Sequence, residues 1–264
     1  MGRRRLDAEL VRRGLAESRA EAQEAVRAGH VRVRGAPATK STTLVGADEA
    51  LVLAAPARPF VSRGGEKLAA ALDAFEIDPS GRDCLDAGAS TGGFTDCLLQ
   101  RGARHVVALD VGSGLLEWEL RTDPRVTVLE KTNVRELRPD VLPRRPSLVT
   151  ADLSFISLRL AVPPLMRAAE PLADLVLLVK PQFEARREEV GRGGVVRDPG
   201  VWRRTIEAVA EAARAAGAAT AGVIPSPVKG PAGNVEFLLH AREGGETGTL
   251  DVDAVIGAAG KLGG

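Results

Sequence analysis

Asp86-Ala87-Gly88-Ala89-Ser90-Thr91-Gly92-Gly93-Phe94-Thr95-Asp96 is the stretch on which the fold turns. Before it, Arg82-Asp83-Cys84-Leu85 reads as a short strand. After it, Gly93 to Gln100 carries apolar residues at helical spacing, so the glycines occupy a strand-to-helix turn. A turn of this kind brings bare backbone close to a ligand. Its pattern, Gly-x-x-x-Gly-Gly behind an acid, is not the G-x-G-x-x-G of a pyrophosphate site and favours an amino-acid-bearing nucleoside over a dinucleotide. The ammonium of such a ligand calls for an acceptor such as Asp86, and its carboxylate suits amides near a helix N-terminus.

On either side of this turn, strands alternate with helices. A helix from about Glu66 to Phe75 leads into the first strand, and further strands read at Val106 to Val111, Val126 to Leu129, Ser147 to Ala151, Leu175 to Val179, Ala218 to Ile224 and Val235 to His240. Helices such as Ile156 to Ala169 and Val201 to Ala216 separate most of them. The alternation predicts an α/β fold with a doubly wound, Rossmann-like, mostly parallel sheet. In such a sheet ligands gather at the carboxyl ends of strands, which groups Asp86, Asp110, Asp152 and Lys180. Asp110 stands where an acid commonly accepts ribose hydroxyls. Asp152 ends an apolar strand, where a carboxylate is costly without a partner. Gly191-Arg192-Gly193-Gly194 reads either as a mobile loop beside the site or as a plain surface turn.

Residues 1 to 55 form a separate small α+β unit, with a helical pattern through Leu6, Leu10, Val11 and Leu15, another from Ala20 to Ala28, and short strands near Val31-Arg32-Val33 and Ala50 to Leu53. Between residues 1 and 40 ten Lys or Arg face five Asp or Glu, although the whole chain is only +1. Charge concentrated in one small module is the footprint of nucleic-acid binding. Ala54-Ala55-Pro56-Ala57-Arg58-Pro59 is proline-punctuated, so residues 56–63 read as a linker and 64–264 as the α/β domain.

With 264 residues and 44% hydrophobic content, the chain is expected to be globular, with one large domain and one small. No apolar run reaches signal-peptide or membrane-spanning length, so a cytoplasmic location without membrane attachment is expected. Cys84 and Cys97 lack metal-ligand spacing and read as buried thiols; no motif calls for a metal. The even charge balance leaves oligomeric state open. Of 36 basic residues only six are lysines: Lys40, Lys67, Lys131, Lys180, Lys229 and Lys261. Arginine keeps its proton in a protein, whereas a lysine amine can be tuned to give it up. Lys67 and Lys180 therefore stand out by their motif-like surroundings, while Lys40 and Lys261 read as solvated surface charges.

Two resemblances sharpen this reading. The string Arg5-Leu6-Asp7, Leu10, Gly14-Leu15-Ala16, Ser18-Arg19, Ala22, Ala25, Gly29-His30-Val31-Arg32-Val33-Arg34-Gly35 and Lys40 resembles the S-four-type RNA-binding domain. That resemblance implies that Arg4, Arg5, Arg12, Arg13, Ser18 and Arg19 are presented to structured RNA; with no Tyr in the chain, phosphate and shape contacts are expected over stacking. Across the rest, Val61-Ser62-Arg63-Gly64-Gly65-Glu66-Lys67-Leu68, the Asp86 to Asp96 loop, Ala151 to Leu158, Leu178-Val179-Lys180-Pro181-Gln182-Phe183-Glu184 and Gly230-Pro231-Ala232-Gly233-Asn234-Val235-Glu236-Phe237 together resemble the TlyA family, called hemolysin A by an old name. Its members are S-adenosylmethionine-dependent ribosomal-RNA ribose methyltransferases with an FtsJ-like catalytic domain.

The resemblance implies a Lys-Asp-Lys-Glu tetrad at Lys67, Asp152, Lys180 and Glu236. It implies a cofactor, S-adenosyl-L-methionine, held by Asp86, Gly88, Ser90, Gly92 and Asp110, with Asn133, in Glu130-Lys131-Thr132-Asn133, near the adenine. The implied substrate is a cytidine ribose in RNA of the small or large ribosomal subunit, or both. A ribose 2′-hydroxyl is a weak nucleophile that must lose its proton in or before the transition state. Lysine, ordinarily ~10.4, serves as a base only beside groups that disfavour its charge. Lys67 and the sulfonium are such groups; Asp152 and Glu236 push the other way and are assigned to holding the lysines and aligning the hydroxyl, with the proton acceptor left open. Arg58-Pro59-Phe60-Val61 departs from the Arg-Ala-Trp-type linker of some members. The alternatives are a non-catalytic ribosome-binding or assembly factor, against which the full tetrad argues, and a membrane-lytic protein, for which no amphipathic or spanning segment speaks.

Overall fold

A computed structural model describes residues 3–16, 18–53, 59–245, 248 and 250–261, and the chain divides into two compact units, Met1–Arg58 and Pro59–Gly264. Ala54 to Arg58 of the expected linker lie outside the described residues.

The first unit runs β1 (Arg4–Arg5), α1 (Leu6–Arg12), α2 (Arg19–Arg27), β2 (Val31–Val33), β3 (Ala36–Pro37), β4 (Leu44–Val45) and β5 (Leu51–Leu53). Strand β1 pairs with β4, and β2 lies between β3 and β5, every pairing antiparallel. Leu6 and Leu10, one turn apart on α1, meet Ala22 and Val26 on α2 and close a small core over Val31 and Val45. The helical pattern expected to reach Leu15 stops at Arg12. Gly14 takes φ +71°, and the Leu15 N–H turns back to the Leu10 carbonyl at 2.9 Å, a glycine-type helix end.

The second unit runs α3 (Arg63–Ala74), β6 (Asp83–Ala87), α4 (Gly93–Gln100), β7 (His105–Leu109), α5 (Trp118–Arg121), β8 (Val126–Leu129), β9 (Leu148–Ala151), α6 (Leu158–Ala168), β10 (Asp174–Val179), α7 (Pro181–Glu184), α8 (Pro199–Ala215), β11 (Ala218–Pro225), β12 (Phe237–Glu243) and α9 (Val252–Lys261). Its strands form one sheet in the order β11-β12-β10-β9-β6-β7-β8. All contacts from β10 to β8 are parallel; β12 alone is reversed, antiparallel to β10 and β11. The strand pleat sends alternate residues to opposite layers. Leu85 and Ala87 pack with residues of α6 and α8, whereas Cys84 packs with residues of α3 and α4. Ser62, Ser157 and Asp198 cap α3, α6 and α8, each side chain accepting a backbone N–H two residues on.

Strand ends differ from the sequence reading where polar side chains intervene. The strand expected to reach Val111 stops at Leu109, because the Asp110 carboxylate accepts the Gly112 N–H at 2.7 Å and turns the chain. The strand expected from Val235 starts at Phe237, because Gly230 and Asn234 first close a turn, Gly230 N–H to Asn234 O at 2.9 Å. Both cysteines are buried, and burial pushes their thiols up to about 12. Among the described residues no helix is long and apolar enough to cross a membrane, and no group of His, Cys, Asp or Glu could hold a metal ion.

Candidate active site

After β6 the chain turns through Gly88 at φ +88°, and the Gly88 and Ala89 N–H groups both donate to the Leu109 carbonyl, at 2.8 and 3.0 Å. A Cβ at Gly88 would overlap the Asp152 carbonyl, so only glycine lets the loop lie against β9. Ser90, at φ +48°, donates its N–H to one Asp110 oxygen at 2.8 Å, while Gly112 uses the other. Asp110 thus joins the first and second strand-end loops and still has a lone pair on each oxygen for a hydroxyl. These groups line a cleft of about 670 Å³ together with Val111, Leu115, Asn133 and the chain from Asp152 to Ile156. Its volume lies within the range of cofactor sites. Apolar walls at Val111, Leu115 and Ile156, a carboxylate at Asp110 and open backbone at Gly88 fit a nucleoside carrying a polar tail. Asn133 caps the short turn Val134–Glu136 through the Arg135 N–H, and among the described residues its NH2 group has no bonding partner.

Two expected cofactor residues do not line this cleft. Gly92, at φ +99°, caps α4, and a Cβ there would strike Leu116 and Leu120; it lets α5 pack against the loop. Asp86 is fully buried, because the pleat of β6 turns its side chain toward α4, where it accepts the Thr95 hydroxyl at 2.7 Å with Thr150 at 3.5 Å. Burial raises its carboxyl to about 7, with the Asp152 charge adding and Thr95 opposing. The structure thus places the Asp86 carboxylate beneath the loop, bonded to Thr95, and not on the cleft wall.

At the same end of the sheet stand two ion pairs. Asp152 follows β9 and Lys180 follows β10, and the register Ala151↔Leu177 and Val179↔Phe237 sets Asp152, Lys180 and Glu236 on three adjacent strands. Glu236 arrives from the start of β12, since that strand alone runs the other way. Lys180 Nζ lies 2.5 Å from Asp152 Oδ1 and also donates to Ser154 Oγ at 3.0 Å, so the Asp152 carboxylate is engaged through that oxygen while its side chain stays partly exposed. Lys67, one turn into α3, reaches Glu236 Oε2 at 2.5 Å, with both side chains buried. A Cβ on Gly230 would come within 2.5 Å of the other Glu236 oxygen, so glycine makes room for this carboxylate. Taking two lysines and two acids out of water is a poor way to stabilise a fold, and their clustering at a cleft marks a site of chemistry.

Several contributors carried no role in the sequence reading although their motifs were visible. Ser154 holds Lys180. Phe155 is 91% exposed at φ +62° and leans on Phe183 at 5.1 Å, so an aromatic face stands open beside the lysine. The sequence carries six Phe, and nothing in it marks this one as exposed. Asn234, buried, donates to the Gly194 carbonyl and accepts the Val196 N–H, tying the Gly191–Gly194 turn to the segment that carries Glu236.

In the first unit the expected RNA contacts are partly committed elsewhere. Asp7, fully buried, draws in Arg5 and Arg19 and sits far below the usual carboxylate range, first through its hydrogen bonds to Arg5. Glu9 is held at about 2 by Arg12 and Arg13. Arg13 also donates to three backbone carbonyls between Gly46 and Glu49, which makes it a structural strut. Ser18 caps α2. Arg4 is exposed and makes no side-chain bond among the described residues, whereas Arg5, Arg12 and Arg19 stay about half exposed beside their acids.

A family model for FtsJ-like methyltransferases matches residues 60–243, and one for the S4 domain matches residues 4–50. The chain is 55% identical over 241 residues to the 16S/23S rRNA (cytidine-2′-O)-methyltransferase TlyA of Mycobacterium tuberculosis, covering 91% of this chain and 90% of that one. It is 38% identical to hemolysin A of Brachyspira hyodysenteriae, over 89% of this chain and 98% of the relative. A solved structure of a Streptococcus thermophilus protein named among the hemolysins superposes with a TM-score of 0.75 at 37% identity, covering 99% of this chain and 97% of that one.

Proposed function

The chain belongs to the FtsJ-like methyltransferase family and, within it, to the TlyA group of ribosomal-RNA methyltransferases, and from that premise we propose that it methylates a cytidine ribose of ribosomal RNA at the 2′-oxygen, using S-adenosyl-L-methionine. The observation that carries the reading is the pairing of Lys180 with Asp152, whose residue also lines the Gly88–Asp110 cleft. Bound in that cleft, the cofactor supplies an electrophilic methyl group on a sulfonium. Asp110 would take ribose hydroxyls, Val111, Leu115 and Ile156 would enclose the base, and Asn133 would offer a donor at its edge.

The ribose 2′-hydroxyl that takes the methyl group would give up its proton toward the tetrad. Asp152 aligns the hydroxyl by accepting from it. Lys180, ion-paired with Asp152 at 2.5 Å, holds the developing alkoxide as a cation. Glu236 and Lys67, deeper and water-excluded, fix the electrostatics around that pair. The exposed Phe155 ring offers a face on which the unstacked base can lie, as single-stranded nucleotides are commonly held. Arg4 and the half-exposed Arg5, Arg12 and Arg19 of the first unit supply phosphate contacts, which makes binding salt-dependent.

The test is methyl transfer from labelled S-adenosylmethionine to unmethylated 30S and 50S subunits, with nuclease mapping of the product. A 2′-O-methylcytidine in either is expected, and it disappears in Lys180→Ala while calorimetry still detects cofactor binding. Full transfer by that variant would remove Lys180 from the mechanism, and no transfer by the wild type would remove the reading.

A further inference from the structure

The segments Asp152–Leu158 and Lys180–Glu184 touch at three successive places. Lys180 holds the near end of the first segment through Asp152 and Ser154. Phe183 lies against Phe155 in the middle. At the far end Glu184 accepts the Ser157 hydroxyl at 2.5 Å and the Leu158 N–H at 2.6 Å, with Arg159 at 3.5 Å. The Glu184 side chain is only 2% exposed. Burial raises its carboxyl above the ordinary glutamate value, against the pull of its three partners. A glutamate buried at that cost and used up at a helix N-terminus is not available to substrate.

Between the two anchors lies Phe155, a non-glycine residue at φ +62° whose ring is turned out to solvent. A residue in that conformation persists only where its surroundings over-determine it. Lys180 restrains the near side of the turn and Phe183 only leans on its ring; without Glu184, the Ser157 cap and the first amide of α6 lose their charged acceptor, and the far side of the turn is free to relax. We propose that Glu184 is a positioning residue that clamps the Asp152–Ser157 turn onto the Lys180 segment, so that Asp152, Phe155 and Lys180 keep one fixed arrangement. For turnover, the proposal rests on the methyl-transfer reading above.

The experiment compares full-length wild type, Glu184→Ala and Glu184→Gln in two measurements: hydrogen exchange by mass spectrometry, and methyl transfer to ribosomal subunits. In Glu184→Ala, exchange in peptides spanning residues 153–160 is expected to rise at least about tenfold while β9 and α8 hold, because only the far anchor is lost. The same variant should lose roughly 10²-fold in kcat, the usual consequence of slight misplacement, with KM for RNA nearly unchanged. Glutamine can still accept from Leu158 and donate to Ser157 Oγ, so Glu184→Gln should keep both exchange protection and at least about a third of kcat. Unchanged exchange in Glu184→Ala, or kcat within about threefold of wild type, overturns the proposal, as does a Glu184→Gln variant no better than the alanine. If Glu184→Ala does not fold, Ser157→Ala takes its place, and unchanged exchange there overturns the clamp. A wild type that transfers no methyl group removes the functional reading, and the exchange data then decide the clamp alone.

Discussion

Replacing Lys67 and Glu236 separately and together distinguishes a pair kept for chemistry from one kept for stability. Their charged atoms are 2.5 Å apart, and the side chains are 8% and 1% exposed. Lys67→Met leaves Glu236 buried without its cation, and Glu236→Leu leaves Lys67 buried without its anion. Breaking a buried pair from one side costs about 3–5 kcal/mol. In a unit of this size that lowers the melting temperature by roughly 6–20 °C. The double variant Lys67→Met/Glu236→Leu leaves no orphaned charge and keeps similar side-chain volumes. It should melt within a few degrees of wild type or above it, as apolar replacements of buried pairs do, giving a coupling of several kcal/mol in the double-mutant cycle. All three variants should be inactive in methyl transfer. Thermal unfolding followed by circular dichroism, alongside the transfer assay, supplies both numbers. A double variant whose loss equals the sum of the single losses would refute the argument, since the charges would then not be each other's compensation.

Asp86 gives the second unit a stability that depends on pH. Its carboxyl is raised from 3.8 to about 7 in the folded chain, so the folded state holds a proton that the unfolded state has released; this contribution is whole below pH 4 and is lost as pH rises through about 7. Asp86→Asn lacks that loss, so chemical denaturation should show it gaining on wild type by roughly 3 kcal/mol between pH 5 and pH 8, and a constant gap would be the contrary result. Gly230→Ala places a methyl group 2.5 Å from a Glu236 oxygen that has no room to retreat. It should cost about 1–3 kcal/mol of stability and at least tenfold in transfer, with cofactor affinity kept; an unimpaired rate would show that Glu236 can move freely.

The alternation of apolar runs made the sheet legible, because buried parallel strands such as Asp174–Val179 read as continuous hydrophobic stretches. Asp110 was legible as a strand-end acid facing the cleft. The reversal of β12 was not, since its apolar run looks the same in either direction and only pairing with β10 orients it. The direction of the Asp86 side chain was not legible for a related reason: one step along a pleat decides whether a strand-end residue meets cleft or helix. In the basic unit, counting charges overstated what is available. Asp7 and Glu9 are buried on α1, so the arginines around them satisfy those acids before any phosphate. Phe155 and Glu184 were hidden because their roles depend on two segments that share no sequence neighbourhood.

The reversed strand also dictates an order of assembly. In the sheet β12 lies between β10 and β11, so until the last third of the chain has emerged β10 is an open edge and Lys67, 169 residues before Glu236, has no anion to receive it. Contacts of such long sequence separation close late, after the local strand–helix units have formed. A nascent or truncated chain can therefore build the cleft around Gly88 and Asp110 and still lack the complete charge set, so that any ability to hold a ligand would precede the ability to react. Insertion of one hairpin is then the final commitment step, and a chain stalled before it would present an unpaired strand edge, the feature that invites aggregation.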